Sequence, residues 1–244
     1  MRKFGLIGYP LGHSFSKGYF TKKFADLSIT DTVYENFPLE SIGELQQVLE
    51  FQPELRGLNV TIPYKEEVIS YLHHQSPELK EINACNCIAI KNGELTGYNT
   101  DYIGFKNSLL VKLKPHHTNA LILGWGGASK AVAYALKTLG INYLVVSRRS
   151  TLPGSISYEQ LNGEIMSQRQ LIVNCTPIGM YPSIEHAPSI PYQFITDRHF
   201  LFDLIYNPAQ TLFLQLGEER GATIENGMDM LALQAEESWR IWNS

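Results

Sequence analysis

The residues of this chain that could do chemistry follow short apolar runs. Residues 58–62 read as a strand that runs directly into Pro63-Tyr64-Lys65-Glu66-Glu67. Proline tolerates the hand-over from strand to helix. The spacing therefore puts Thr61 at a strand end and Lys65 in the first turn of a helix. That end of a helix favours acids, and Glu66 and Glu67 supply them. Lys65 opposes the dipole, which makes its ammonium easier to deprotonate and suits it to proton transfer. An exposed lysine with its stem laid along apolar surface would read the same way. Ser14 and Ser16 lie in Gly8-Tyr9-Pro10-Leu11-Gly12-His13-Ser14-Phe15-Ser16, between a strand over 4–7 and a helix starting near Lys17. A loop so rich in Gly, Pro and hydroxyls presents polar groups rather than packing them. One serine could cap the helix, which leaves the other to face a ligand.

A second constellation occupies residues 121–149. Leu121, Ile122 and Leu123 form a short apolar strand, and Gly124, Gly126 and Gly127 a tight turn. Ala131, Val132, Ala135, Leu136 and Leu139 then recur at helical spacing until Gly140, and Leu144, Val145 and Val146 give another buried strand. Strand, glycine turn, helix and strand make the first βαβ unit of a dinucleotide-binding fold. The glycines let the backbone approach a pyrophosphate, whose charge sits at the helix N-terminus. Ser129 stands where the usual pattern has its third glycine, and a tight turn that binds nothing would share the pattern. NAD binders usually place an acid at the end of the second strand. Here stand Ser147, Arg148 and Arg149. A guanidinium pairs with phosphate by charge and by parallel hydrogen bonds, so NADP is the expected cofactor. Solvated surface arginines are the alternative.

Other elements must hold these groups. Residues 32–37 read as a strand, and 41–49 as a helix capped by Ser41 with Glu44 three residues on. Residues 86–90 and 94–97 form a hairpin across Lys91-Asn92-Gly93, Asn-Gly being the preferred turn pair. Asp101 is placed to cap a helix that begins at Tyr102. The polar stretch 114–119 reads as the connection between domains. Beyond 149, Pro153, Gly154 and Gly163 leave little helix as far as 170. Residues 171–174 are a strand, and Thr176-Pro177-Ile178-Gly179-Met180 sits at its carboxyl end, where open α/β sheets bind ligands. A strand over 201–204 and helices over 211–220 and 228–242 finish the chain.

Composition narrows the class. The chain has 244 residues, 44% of them hydrophobic, enough for a sizeable core or two modest domains. Charged residues are 18%, which argues against disorder, and the net charge of -4 argues against nucleic acid as the main partner. No apolar run approaches a membrane span, and the N-terminus turns polar and glycine-rich too soon for a signal peptide. A cytoplasmic location is expected. The three cysteines, Cys85, Cys87 and Cys175, suit a reducing compartment. Cys85 and Cys87 would share one face of a strand, as packing residues rather than metal ligands. The pairs His73-His74 and His116-His117 lack the spacing of a helical metal site and read as surface loop residues. No metal is expected.

Taken in order, these stretches resemble the shikimate dehydrogenase family, its shikimate/quinate members included. The loop from Gly8 to Ser16 is similar to that family's shikimate-binding loop. Asn59-Val60-Thr61-Ile62-Pro63-Tyr64-Lys65 is similar to its strand with the catalytic lysine. Asn86 resembles the asparagine of its next motif, and Asn99-Thr100-Asp101 its catalytic aspartate. Gly124-Trp125-Gly126-Gly127-Ala128-Ser129 resembles its NADP loop, and Asn174-Cys175-Thr176-Pro177-Ile178-Gly179-Met180 the loop near the nicotinamide. Asp203-Leu204-Ile205-Tyr206-Asn207-Pro208 and residues 227–234 complete the series.

The resemblance implies an α/β chain with an amino-terminal substrate-binding catalytic domain and a Rossmann-type NADP-binding domain, with a cleft between them. The first would span 1–101, completed by a carboxyl-terminal helix over 228–244, and the second 102–227. It implies reversible reduction of 3-dehydroshikimate to shikimate by NADPH, in the chorismate and aromatic amino acid pathway. The enzyme would be a monomer or homodimer without nucleic-acid or membrane partners. Lys65 and Asp101 would be catalytic. Ser14, Ser16 and Tyr206 would hold the substrate carboxylate. Thr61, Asn86 and Gln234, with the catalytic pair, would hold ring hydroxyls and the reacting oxygen. Gly124, Gly126, Gly127, Ala128, Ser129, Ser147, Arg148, Arg149, Thr176, Leu204 and Gly227 would bind NADP. The chain departs from the family at Ser147-Arg148-Arg149, where Asn-Arg-Thr is usual, and at Pro153-Gly154, where members often carry a long helix. Trp125 is a bulky insertion in the glycine loop. A quinate/shikimate dehydrogenase using NAD and a non-catalytic NADP-binding sensor are alternatives on the same scaffold.

Overall fold

A computed structural model describes residues 1–12, 14–148 and 152–244. The chain divides into two compact units, Met1–Thr100 with Gln234–Ser244, and Asp101–Leu233. The first unit holds β1 (Arg2–Gly8), α1 (Phe15–Asp26), β2 (Thr32–Pro38), α2 (Leu45–Phe51), β3 (Leu55–Val60), β4 (His74–Gln75), α3 (Pro77–Ile82), β5 (Cys87–Lys91) and β6 (Glu94–Tyr98). The second holds α4 (Asp101–Leu110), β7 (Asn119–Leu123), α5 (Gly127–Thr138), β8 (Asn142–Val146), α6 (Gly163–Gln168), β9 (Leu171–Asn174), β10 (Phe200–Asp203), α7 (Leu212–Glu218) and β11 (Thr223–Glu225). The last helix, α8 (Met228–Trp242), starts in the second unit and enters the first at Gln234. Among the described residues no helix is long and apolar enough to cross a membrane.

The first unit is a mixed sheet in the order β2-β1-β3-β5-β6-β4. β1 pairs in parallel with β2 and β3, and β3 runs antiparallel to β5. The β5–β6 hairpin closes at Lys91 opposite Glu94, with Asn92 at φ 53 and Gly93 at φ 81. Those positive angles are what a two-residue turn between twisted strands requires. Alternate strand residues pack on opposite faces. Ile7, Leu58, Ile88 and Ile90 join the core on one side, and Phe4, Leu6, Cys87 and Ala89 the aromatic core on the other.

α8 covers that aromatic face with Ala235, Ile241 and Trp242. The Trp242 ring stacks on Phe4 at 4.8 Å between centroids, and its Nε1–H donates to the Ile88 carbonyl at 3.0 Å. It occupies the space left by the missing side chain of Gly57, where a Cβ would lie 2.3 Å from Trp242 Nε1. Gly57→Ala is therefore expected to cost about 1–3 kcal/mol by overpacking, read as a lower urea midpoint with an unchanged slope.

The structure departs from the sequence pattern at the cysteines, at His117 and at the stretch 114–119. Cys85 and Cys87 do not share a face. Cys85 precedes β5, so strand alternation does not reach it, and the two thiols lie in opposite cores. Burial pushes the Cys87 thiol up. His117 is not a surface residue: it is 3% exposed. Its Nδ1 accepts the Lys114 N–H at 3.0 Å and its Nε2 lies 3.2 Å from the Arg198 carbonyl oxygen. Finally, the polar stretch 114–119 lies inside the second unit and joins α4 to β7. The chain passes between units at Thr100 and Asp101.

The second unit is an all-parallel sheet in the order β11-β10-β9-β7-β8. Ile122, Val132, Val173 and Phe202 pack on one face, and Leu121, Leu123, Ile172 and Leu201 on the other. Burial on both faces is why these strands are unbroken apolar runs. The strand order reverses between β7 and β9. At their carboxyl ends the Cys175 N–H donates to the Leu123 carbonyl at 2.9 Å, so the glycine turn and the loop after β9 leave the sheet side by side. This is the switch point at which open α/β sheets take ligands.

Candidate active site

In the first unit the loops after β1 and β3 are tied together. The Thr61 N–H donates to the Ile7 carbonyl at 2.9 Å, and the Tyr9 N–H to the Ile62 carbonyl at 3.0 Å. Gly8 permits this approach: a Cβ there would lie 2.4 Å from Thr61 Cγ2. Lys65 does not start an α-helix. It lies in consecutive turns that lead into a 3-10 segment of five residues, Glu67–Tyr71. The helix dipole expected to act on Lys65 is therefore not built. Its backbone carbonyl accepts the Cys85 N–H at 2.6 Å. The buried neighbour Tyr64 anchors the same turn through its hydroxyl, which donates to the Leu39 carbonyl at 2.6 Å.

The two serines divide their work differently from the expectation. Ser14 stands at the N-cap of α1 with an extended backbone, but its side chain caps nothing. Its Oγ is buried and has no hydrogen-bond partner among the described residues. Ser16 is buried and hydrogen-bonds the Tyr34 hydroxyl. That contact opens a buried polar chain. Tyr34 donates to Asn59 Oδ1 at 2.9 Å, and Asn59 Nδ2 donates to Ser238 Oγ at 2.9 Å and to the Asn86 carbonyl at 3.2 Å. Ser238 donates to the Gln234 carbonyl at 2.9 Å and lies 3.2 Å from Thr100 Oγ1.

The chain ends on two amides whose orientation is determined. The Thr100 N–H donates to Asn86 Oδ1 at 2.6 Å. The amino group of Asn86 must then face the other way, and it donates to Thr100 Oγ1 at 2.9 Å and to Gln234 Oε1 at 3.4 Å. Tyr34, Asn59, Thr100 and Ser238 are supports that the sequence reading does not single out. The signals available are the position of Asn59 on the strand ahead of Thr61, and Ser238 one helical turn beyond Gln234.

In the second unit, Asp101 is the first residue of α4 and is 6% exposed. Gly124 has φ 88, and a Cβ there would lie 2.7 Å from Thr176 Cγ2. The loop replaces its third glycine with a serine that folds back onto it: the Gly126 N–H donates to Ser129 Oγ at 2.6 Å, and Ser129 Oγ donates to the Gly126 carbonyl at 2.7 Å. At Gly126, by contrast, a Cβ would meet nothing within 4 Å. Open space at a glycine, Ala128 in the first turn, and a helix of 12 residues behind them suit a pyrophosphate. The residues present thus fit a dinucleotide.

At the end of β8, Ser147 is buried and Arg148 exposed, and Arg149 lies outside the described residues. Further along, Ile156 bridges Val146 in parallel, with the Ser147 N–H donating to the Ile156 carbonyl at 2.9 Å. The bridge brings in Tyr158, whose phenol burial pushes up to about 12 against the opposing charge of Arg148.

Leu204 and Gly227 meet through their backbones: a Cβ on Gly227 would lie 2.1 Å from the Leu204 carbonyl oxygen. Tyr206 follows, and burial pushes its phenol up. Within single units, then, the structure groups Ser14, Ser16, Thr61, Lys65, Asn86 and Gln234 in the first, and Asp101, the glycine loop, Ser147, Arg148, Thr176, Leu204, Tyr206 and Gly227 in the second.

A lysine turn beside oriented amides in one unit, and a dinucleotide loop on a parallel sheet in the other, are the parts of an α/β dehydrogenase. Residues 6–88 match the shikimate dehydrogenase substrate binding domain. The shikimate dehydrogenase (NADP(+)) of Desulforamulus reducens is 34% identical over 258 residues, which cover 98% of this chain and 88% of that protein. Its counterpart in Syntrophomonas wolfei is 37% identical over 249 residues, covering 94% and 85%. The crystal structure of shikimate 5-dehydrogenase from Thermus thermophilus in complex with NADP(H) and shikimate superposes with a TM-score of 0.88 at 30% identity, covering 99% of this chain and 93% of that one. The chain belongs to the shikimate dehydrogenase family.

Proposed function

We propose that this protein interconverts 3-dehydroshikimate and shikimate with NADPH and NADP. The observation that carries the reading is the determined geometry around Lys65. Its carbonyl is bonded to Cys85, the neighbour of an Asn86 whose amide can face only one way. A polyhydroxy acid needs such fixed donors and acceptors, and a site built on them rejects analogues lacking a hydroxyl.

The reading assigns substrate binding to 1–101 with 228–244, and cofactor binding to 102–227. NADPH supplies the hydride when bound. The carbonyl oxygen that loses its double bond gains negative charge, so a positioned acid must donate a proton to it. Lys65 takes that role in reduction and receives the proton back in oxidation, and Asp101 supplies the balancing negative charge. Ser14, with its buried and unpartnered Oγ, Ser16 and Tyr206 hold the carboxylate. Thr61, Asn86 and Gln234 hold ring hydroxyls. Gly124, Gly126, Gly127, Ala128 and Ser129 receive the pyrophosphate, Ser147, Arg148 and Arg149 the 2′-phosphate, and Thr176, Leu204 and Gly227 the nicotinamide side. The free thiols of Cys85, Cys87 and Cys175 agree with a cytoplasmic enzyme, and we assign it as a monomer or homodimer.

The test is a grid of shikimate and quinate against NADP and NAD, with absorbance of the reduced cofactor as readout. Shikimate with NADP is expected to give the highest kcat/KM. No turnover with any pair would leave a binding protein, and a preference for NAD would remove the role given to Arg148. Arg148→Gln is expected to raise KM for NADP about tenfold, the loss of one charged hydrogen bond, while KM for NAD stays within about twofold.

A further inference from the structure

Asp203 is a fully buried carboxylate at the end of β10. Three donors meet it: Asn174 Nδ2 at 3.0 Å and the Ile205 N–H at 3.0 Å on Oδ1, and the Thr211 hydroxyl at 2.6 Å on Oδ2. Asn174, also fully buried, is its register partner on β9. A carboxylate only accepts, so the Asn174 amino group must face it. Asn174 Oδ1 is then turned the other way, where it accepts the Thr176 N–H at 3.0 Å and the Thr176 hydroxyl at 2.7 Å. With its proton committed, Thr176 Oγ1 accepts the Ile178 N–H at 3.3 Å. Its methyl lies against the glycine loop, at the position where a Cβ on Gly124 would come within 2.7 Å.

We infer that Asp203 is a positioning residue for the cofactor: through Asn174 it sets the rotamer of Thr176 against the glycine loop. The inference rests on the NADP-dependent reading above. An amide at 203 has similar size but no charge, so it would grip Asn174 Nδ2 and the Thr211 hydroxyl through weaker, neutral hydrogen bonds than the carboxylate makes. The loop after β9 would then hold Thr176 in more than one arrangement, and the cofactor alone would bear the cost of selecting one.

The experiment measures NADP binding to the full-length protein by calorimetry, with the folded fraction followed by thermal unfolding. Asp203→Asn is expected to weaken NADP about tenfold while KM for shikimate stays within about twofold. A merely structural role would lower the folded fraction and leave both constants of the folded protein alone. Thr176→Val, nearly isosteric, is expected to weaken NADP about fivefold, and the double variant no further than Asp203→Asn, because both changes break one path. Wild-type affinity in Asp203→Asn, or additive losses in the double variant, would overturn the inference and leave the dehydrogenase reading standing. If Asp203→Asn does not fold, Thr176→Val decides: unchanged NADP affinity overturns it. Failure of the wild type to bind NADP overturns both.

Discussion

Lys65→Ala is expected to lower kcat for shikimate oxidation by about 1,000-fold, within the range that positioned acid–base groups contribute. The melting temperature should stay within a degree or so, on the order of a surface substitution. The reason for the split lies in how the residue is held. Its carbonyl accepts the Cys85 N–H, a bond that alanine reproduces, and the side chain is only half-buried. Lys65→Arg separates charge from proton transfer. A guanidinium keeps the positive charge but does not give up its proton at working pH, so about a 100-fold loss is expected even so. Steady-state rates at saturating shikimate and NADP, with circular dichroism melts, check both. An alanine variant that keeps a tenth of wild-type kcat would exclude Lys65 from proton transfer.

Gly227→Ala carries the largest expected effect on folding. The added Cβ would lie 2.1 Å from the Leu204 carbonyl oxygen and 2.6 Å from its carbon. Both are backbone atoms, and a Cβ has no rotamer with which to escape. The junction is also held shut, since the Gly227 N–H donates to the Ile205 carbonyl at 3.0 Å. The start of α8 and the exit of β10 must move apart, at a cost of about 3 kcal/mol or more. Gly124→Ala makes a useful contrast. It adds strain at φ 88, but its nearest clash is the tip of the Thr176 side chain. About 1–2 kcal/mol is expected from the backbone conformation. Urea midpoints should fall in the order wild type, Gly124→Ala, Gly227→Ala. The reverse order of the two variants would show that the β10–α8 junction yields more easily than the glycine loop.

What can be read from the sequence is local. The parallel strands of the second unit are buried on both faces, so β7, β9 and β10 stand out as unbroken apolar runs. The Asn92-Gly93 turn announces the β5–β6 hairpin. Short elements escape: β4 has two residues and β11 three, too few for a period to register. α3, opened by Ser76 and Pro77, is missed for the same reason. β3 begins at Leu55, three residues before the expected start, because Arg56 and Gly57 interrupt its apolar pattern. The Lys65 turn is misread because strand, proline and acids make the same pattern before a 3-10 segment as before an α-helix. The supports of the site are hidden by distance along the chain. Asn59 and Ser238 are 179 residues apart, and no window of sequence contains both.

That separation has a consequence for synthesis. The segments that carry Lys65 and Asn86 leave the ribosome early, but Gln234, Ser238 and Trp242 lie on α8, far later in the chain. Until that helix arrives, Phe4 and Phe20 lack its aromatic cover and Asn59 has no Ser238 to bond. Everything from Asp101 to Leu233 can collapse on itself in the meantime. The unit whose translation begins first is thus closed only after the second has been made, and the polar chain from Tyr34 to Gln234 is complete only once α8 has been added.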